Sequence, residues 1–147
     1  MVDKFTEEQR SKMMSRVRSK NTSPELRIRS ALFASGFRYR IHLKALPGCP
    51  DIVLPKYRAV ICVHGCFWHG HSCKAGKLPA TNVEFWTTKI SKNKERDLSM
   101  VSELNHLGWK ILIVWECSIK RSRETAFDNV IDRISTWIIN GRGNKEL

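Results

Sequence analysis

The stretch Pro50-Asp51-Ile52-Val53-Leu54-Pro55-Lys56-Tyr57-Arg58-Ala59-Val60-Ile61-Cys62-Val63-His64 decides how this chain is read. Two apolar runs flank the turn residues Pro55 to Arg58, which predicts a β-hairpin. If Leu54 pairs with Ala59, counting back sets Asp51 opposite Cys62, with His64 two residues further along the same face. A carboxylate and an imidazole then converge, and the main-chain oxygen of Val63 lies beside them. Such oxygens, completed by waters, suit Mg²⁺. The aspartate also admits a plainer reading, as a capping residue after Pro47-Gly48-Cys49-Pro50.

Beyond the hairpin, residues 63–73 hold His64, His69, His71, Cys66 and Cys73. Cys66, His71 and Cys73 have the spacing Cys-x4-His-x-Cys, and Cys117 could close a four-ligand zinc site; on spacing alone His69 fits in place of His71. A zinc ion with four protein ligands is coordinatively closed, so it holds a loop in place and leaves the chemistry to another metal. Cys49 and Cys62 need no role beyond packing. Phe67 and Trp68 on the same loop either cover the core or stack on bases.

The rest of the chain supplies the frame. Residues 1–22 form a basic arm, with Lys4, Arg10, Lys12, Arg16, Arg18 and Lys20. A single domain over 23–140 follows, then a tail over 141–147. Ser23-Pro24-Glu25 starts a helix that Gly36 ends, with Ile28, Ala31 and Leu32 on one face. Phe37, Tyr39 and Ile41 alternate with Arg38, Arg40 and His42 as in a strand with one basic face. A long helix spans Glu84 to about Leu107, and its stripe of Trp86, Ile90, Val101 and Leu104 is interrupted by Asn93 and Asp97. Lys110 to Trp115 reads as a central strand, and Phe127, Val130, Ile131, Ile134, Trp137 and Ile138 mark a closing amphipathic helix. The expected fold class is α/β (α+β), a single domain with a mixed central sheet flanked by helices.

Composition narrows the partners. The chain has 147 residues, and 26 Lys and Arg against 14 Asp and Glu give a formal charge of +12. A sequence pI near 9.9 points to a polyanion, nucleic acid first. No apolar run approaches the ~20 residues that span a bilayer, and none follows Lys4 and Arg10 as a signal peptide would require. A cytoplasmic protein without a disulfide framework is expected, although it has five cysteines.

Pro50-Asp51 followed by two hydrophobic strands is the layout of the PD-(D/E)XK nuclease core, in which the aspartate binds metal at the scissile phosphate. The runs Val63-His64-Gly65-Cys66-Phe67-Trp68-His69, Glu84 to Asp97, and Gly108 to Cys117 further resemble the very short patch repair (Vsr) endonucleases. That resemblance covers roughly Arg10 to Ile138. It implies a bacterial enzyme, acting as a monomer on double-stranded DNA, that nicks 5′ of the mispaired thymine in T:G mismatches left by deamination of 5-methylcytosine. Catalytic Mg²⁺ and structural Zn²⁺ are the implied cofactors, and mismatch-repair proteins are implied as further partners.

Carried onto this sequence, the resemblance makes Asp51 the metal carboxylate and gives Val63 the main-chain ligand. His64 and His69 act around the scissile phosphate, Asp97 orients His69, and Glu25 holds a metal-bound water. Zinc then falls to Cys66, His71, Cys73 and Cys117. Phe67, Trp68 and Trp86 become major-groove wedges, Met14 a minor-groove one, and Lys89 and Asn93 contacts near the mismatch. The chain departs from the family pattern at Val63, where Thr is expected, at Cys62, where Phe is expected, and at Gly70, often His. The alternatives are a restriction-type endonuclease and a zinc-stabilised DNA-binding protein with no chemistry.

Overall fold

The computed structural model describes residues 21–120 and 124–147. Met14 and nearly all of the expected basic arm lie outside the described residues.

Helix α1 (Ser23–Ala34) is capped by Thr22, whose hydroxyl accepts from the Glu25 N–H at 3.4 Å, one residue earlier than the expected Ser23 cap. Proline in the first turn and Gly36 at φ +97° bound it as expected. Of the strand expected over 37–41, only β1 (Arg40–Ile41) pairs. Phe37 is buried, while Ile41 is 41% exposed, so the alternation holds only at its start.

The hairpin forms in the expected register. Strands β2 (Ile52–Leu54) and β3 (Ala59–His64) pair Leu54 with Ala59, Val53 with Val60 and Ile52 with Ile61. Between them Pro55–Tyr57 makes one 3-10 turn and Arg58 takes the left-handed conformation at φ +51°. After a second 3-10 turn at Lys74–Gly76 come α2 (Val83–His106) and β4 (Lys110–Trp115). The chain closes with α3 (Glu116–Lys120), α4 (Glu124–Asn140) and β5 (Lys145–Glu146).

The five strands lie in the order β1-β2-β3-β4-β5. The first three are antiparallel neighbours, whereas β3, β4 and β5 run parallel, giving a mixed sheet. Parallel pairing of β3 with β4, His64 opposite Trp115, delivers the loop after β3 and the turn after β4 to the same end of the sheet. That end carries the site.

Two cores flank the sheet. On one face Ile28 and Leu32 of α1 and Ile134, Trp137 and Ile138 of α4 pack on Ile52, Leu54, Ile61 and Leu112. On the other, Met100 and Leu104 of α2 pack on Val53, Val60, Cys62 and Ile111. Ile134 is fully buried. Ile134→Ala is expected to cost about 2–5 kcal/mol of unfolding free energy, read as a lower denaturant midpoint.

Residues 141–147, expected as a tail, return to the sheet. Lys145 and Glu146 pair with Leu112 and Ile113, and the Trp115 N–H donates to the Leu147 carbonyl at 2.9 Å. No hydrophobic period marks so short an edge strand, because the exposed main chain of β4 sets it. Among the described residues no helix is long and apolar enough to cross a membrane.

Candidate active site and metal centres

Asp51 stands at the head of β2, and its carboxylate accepts from the Val63 N–H at 2.8 Å, which ties it across the hairpin. Beside it the Glu25 side chain, at the first turn of α1, is 1% exposed. One Glu25 oxygen accepts from the Arg29 guanidinium at 2.7 Å and lies 3.0 Å from His42 Nε2. His42 Nε2 in turn lies 3.9 Å from an Asp51 oxygen. The ligand atoms of Glu25, His42 and Asp51 all fall within 4.8 Å of one another.

Burial raises the Asp51 carboxyl from its ordinary 3.8 to about 7. The Val63 N–H and the His42 side chain oppose that rise, and the charge and hydrogen bonding of nearby Glu25 add to it. The folded chain therefore holds this carboxylate at a cost that a cation beside it offsets.

His64 closes β3 and is 5% exposed. Its ring stacks on His69 with centroids 3.7 Å apart and planes 6° apart. His69 Nδ1 lies 2.6 Å from Asp97 of α2, which leaves Nε2 as the free ring nitrogen. Asp97 thus breaks the apolar stripe of α2 because it faces inward to a histidine. Burial first, and then His69, lower the His64 pKa to about 4 against the opposing charge of Asp97, so His64 is neutral at pH 7. Asp51, Val63, His64, His69, Asp97 and His42 line one cleft of about 250 Å³.

The loop that brings His69 here is held by its own main chain and by α2. The His71 N–H donates to the Cys66 carbonyl at 2.9 Å, and the Asn93 amide donates to the Trp68 carbonyl at 2.8 Å. Gly70, at φ +64°, sits so close to α2 that a Cβ there would overlap Lys94 and Ile90.

Cys66, His71, Cys73 and Cys117 converge with their ligand atoms within 4.8 Å of one another, while His69 sits with His64 and Asp97 instead. Cys117 Sγ lies 3.6 Å from His71 Nδ1. Cys66 is 1% exposed, and burial pushes its thiol up to about 12. Burial would push Cys73 the same way, but hydrogen bonds from His71, Cys66 and the Gly76 and Ala75 main chain bring it down to about 6. One thiolate donor is thus prepared beside two further thiols and an imidazole.

Phe67 and Trp68 are half-buried and meet edge-on at 5.1 Å, with Trp86 5.2 Å from the first and 5.9 Å from the second. Trp86 is only 7% exposed and supports the other two. Lys89, one turn before Asn93 on α2, is exposed.

Two residues at the site were not expected from the sequence. His42 follows β1, and its place on the basic face of the alternating run was its only signal. Trp115, expected only as part of a core strand, stacks on His71 at 4.2 Å and meets His64 edge-on at 5.4 Å. It therefore joins the cysteine cluster to the His64–His69 pair.

Known proteins resemble this chain over most of its length. The family model described as DNA mismatch endonuclease Vsr matches residues 2–75. The chain is 50% identical over 120 residues to the Type II nicking enzyme V.NmeAIP of Neisseria meningitidis, covering 82% of this chain and 86% of the relative. It is 44% identical to the Type II nicking enzyme V.XorIIP of Xanthomonas oryzae, covering 90% of this chain and 98% of that one. It is also 43% identical over 138 residues to the DNA mismatch endonuclease Vsr of Escherichia coli, covering 94% of this chain and 88% of the relative. Likeness of this extent means that the chain belongs to the Vsr family of DNA mismatch endonucleases.

Proposed function

We propose that this endonuclease nicks one DNA strand 5′ of the mispaired thymine at T:G mismatches produced by 5-methylcytosine deamination, by Mg²⁺-dependent hydrolysis. The observation that carries the reading is one cleft that Asp51 shares with His42 and the His64–His69–Asp97 group, with the buried Glu25 carboxylate grouped with Asp51 through His42. The sheet layout, with Asp51 at the head of β2 and β3 antiparallel to it, supports a PD-(D/E)XK core.

The residues fit a divalent cation, since two carboxylates crowd together and Asp51 resists ionisation without one. Asp51 and the Val63 carbonyl would hold it, with Glu25 fixing a water. Mg²⁺ bound there supplies positive charge against the attacking and leaving oxygens of the phosphodiester. Asp97 fixes the His69 ring and directs Nε2 toward the scissile phosphate. His64, neutral and stacked on His69, restricts that ring and offers a hydrogen bond without adding charge.

The donor set Cys66, His71, Cys73 and Cys117 fits Zn²⁺, which would be closed to substrate and would hold the loop rigid. Phe67 and Trp68 would then insert beside the mismatch with Trp86 behind them, Met14 would enter from the minor groove, and Lys89 and Asn93 would contact the flanking nucleotides. Unstacking costs a few kcal/mol per step, and less at a mismatch, so the wedge itself selects. The reading places residues 1–22 on DNA as a basic arm ahead of a 23–140 catalytic domain, in a monomer acting in the bacterial cytoplasm, with mismatch-repair proteins as partners.

Cleavage of end-labelled duplexes tests this. A T:G duplex with Mg²⁺ should be nicked on the thymine strand only, leaving 5′-phosphate and 3′-hydroxyl ends, and the matched duplex should stay intact. Double-strand cutting of the matched duplex would instead establish a restriction-type enzyme. Varying the bases that flank T:G then defines the sequence context.

A further inference from the structure

The metal reading just given uses Asp51, Glu25 and Val63 and leaves His42 without a task. Its Nε2 lies 3.0 and 3.2 Å from the two Glu25 oxygens and 3.9 Å from the nearest Asp51 oxygen. Around a single ion with ligands at about 2.1 Å, adjacent donors stand ~3 Å apart and opposite donors ~4.2 Å apart. The His42 nitrogen is therefore spaced from both carboxylates as a co-ligand would be.

Its aim is imposed by the backbone. His42 takes φ +47°, a left-handed conformation that L-residues adopt at a cost, and its N–H donates to the Asp51 carbonyl at 3.2 Å. Arg29 binds the same Glu25 carboxylate, so the Glu25 side chain is held from two directions while it faces His42.

We propose that His42 is a second side-chain ligand, beside Asp51, of the ion whose water Glu25 fixes, and that its imidazole tilts this cleft toward Mn²⁺ and Co²⁺ relative to Mg²⁺. The proposal rests on the metal-centre reading above. Mg²⁺ takes oxygen donors almost exclusively and keeps its waters, whereas imidazole nitrogen adds affinity for transition ions in the order Mn²⁺ below Co²⁺. A nitrogen donor among carboxylates thus changes which ion the cleft prefers as well as how tightly it binds. This chain would then work in Mn²⁺ at ion concentrations where Mg²⁺ leaves the cleft largely empty.

Direct titration of the purified full chain with Mn²⁺, Co²⁺ and Mg²⁺ tests it, with His42→Gln as the variant. Glutamine can still hydrogen-bond Glu25 but supplies no imidazole nitrogen. Expected is a loss of about tenfold or more in Mn²⁺ and Co²⁺ affinity, with Mg²⁺ changed less than about threefold. Electron spin echo modulation from a coordinated nitrogen should be present in the Mn²⁺-loaded wild type and lost in the variant. Equal changes for all three ions, or nitrogen modulation that persists, would overturn the proposal and leave His42 as a hydrogen-bond partner of Glu25. If His42→Gln does not fold, His42→Asn serves the same test, because asparagine tolerates a positive φ. Asp51→Ala separates the two levels: if it binds Mn²⁺ as tightly as wild type, the metal-centre reading itself fails.

Discussion

Asp51→Ala is expected to abolish strand nicking in Mg²⁺, by about a thousandfold or more, while a T:G duplex is bound within a few-fold of wild type. The reason is where the residue sits. Asp51 shares its cleft with His64, His69 and Asp97, and none of these can take its place, because Asp97 is committed to His69 and the two histidine rings are stacked on each other. Affinity for DNA comes from Lys and Arg elsewhere on a chain of formal charge +12, and removing one anion does not weaken it. Gel-shift binding set beside single-turnover nicking reads both halves. Loss of binding together with nicking would mean that Asp51 holds the fold.

Asp51→Asn gives a second readout at the same residue through stability. The folded chain keeps the Asp51 proton up to about pH 7, whereas the unfolded chain releases it near 3.8. The Asp51 contribution to wild-type stability without added Mg²⁺ therefore falls as pH rises from about 4 to about 7, and then levels off. Asparagine lacks that titration. Its advantage over wild type in denaturant midpoint should be near zero at pH 4, grow through this window, reach on the order of 1–3 kcal/mol above pH 7, and shrink when Mg²⁺ is added to the wild type.

The parts of this site that could be read from sequence are those set by local geometry. A four-residue turn fixes a hairpin's pairing, so the convergence of Asp51 with His64 follows from counting, and the register agrees at all three observed pairs. Asn93 and Asp97 could be singled out because each interrupts an apolar stripe whose period is otherwise regular. The Cys/His spacing was legible for the same reason, although Cys66, Cys73 and Cys117 meet only because β3 and β4 run parallel.

Other features depend on what packs nearby. Glu25 reads as an acid favoured in a helix's first turn, yet it is buried against His42 because α1 meets the hairpin edge there. His42 lies just past a two-residue strand, and its left-handed backbone leaves no mark in the residue pattern. Trp115 looks like any large residue in a central strand, since its stacking on His71 is fixed by a loop more than forty positions away. β5 exists only because β4 offers an open edge.

Cys117→Ser is expected to lose the zinc and much of the fold with it. Wild-type protein should carry about one equivalent of zinc that resists mild chelation, because closed four-ligand sites bind with apparent free energies of about 10–16 kcal/mol in small zinc domains. That is as large as the whole stability of an ordinary domain. Cys117 would be the decisive ligand, since it alone comes from α3 after β4 while the other three lie on the loop after β3. Serine's hydroxyl does not replace a thiolate at neutral pH, so the clamp between the two segments opens. The melting temperature should fall by on the order of 10 °C or more. Nicking should fall further than the remaining folded fraction accounts for, because His71, once released, no longer holds Trp115 against His64 and His69. By contrast Cys49→Ser, outside the cluster, should keep both zinc and activity. A folded, active wild type that contains no zinc on metal analysis would remove the assignment.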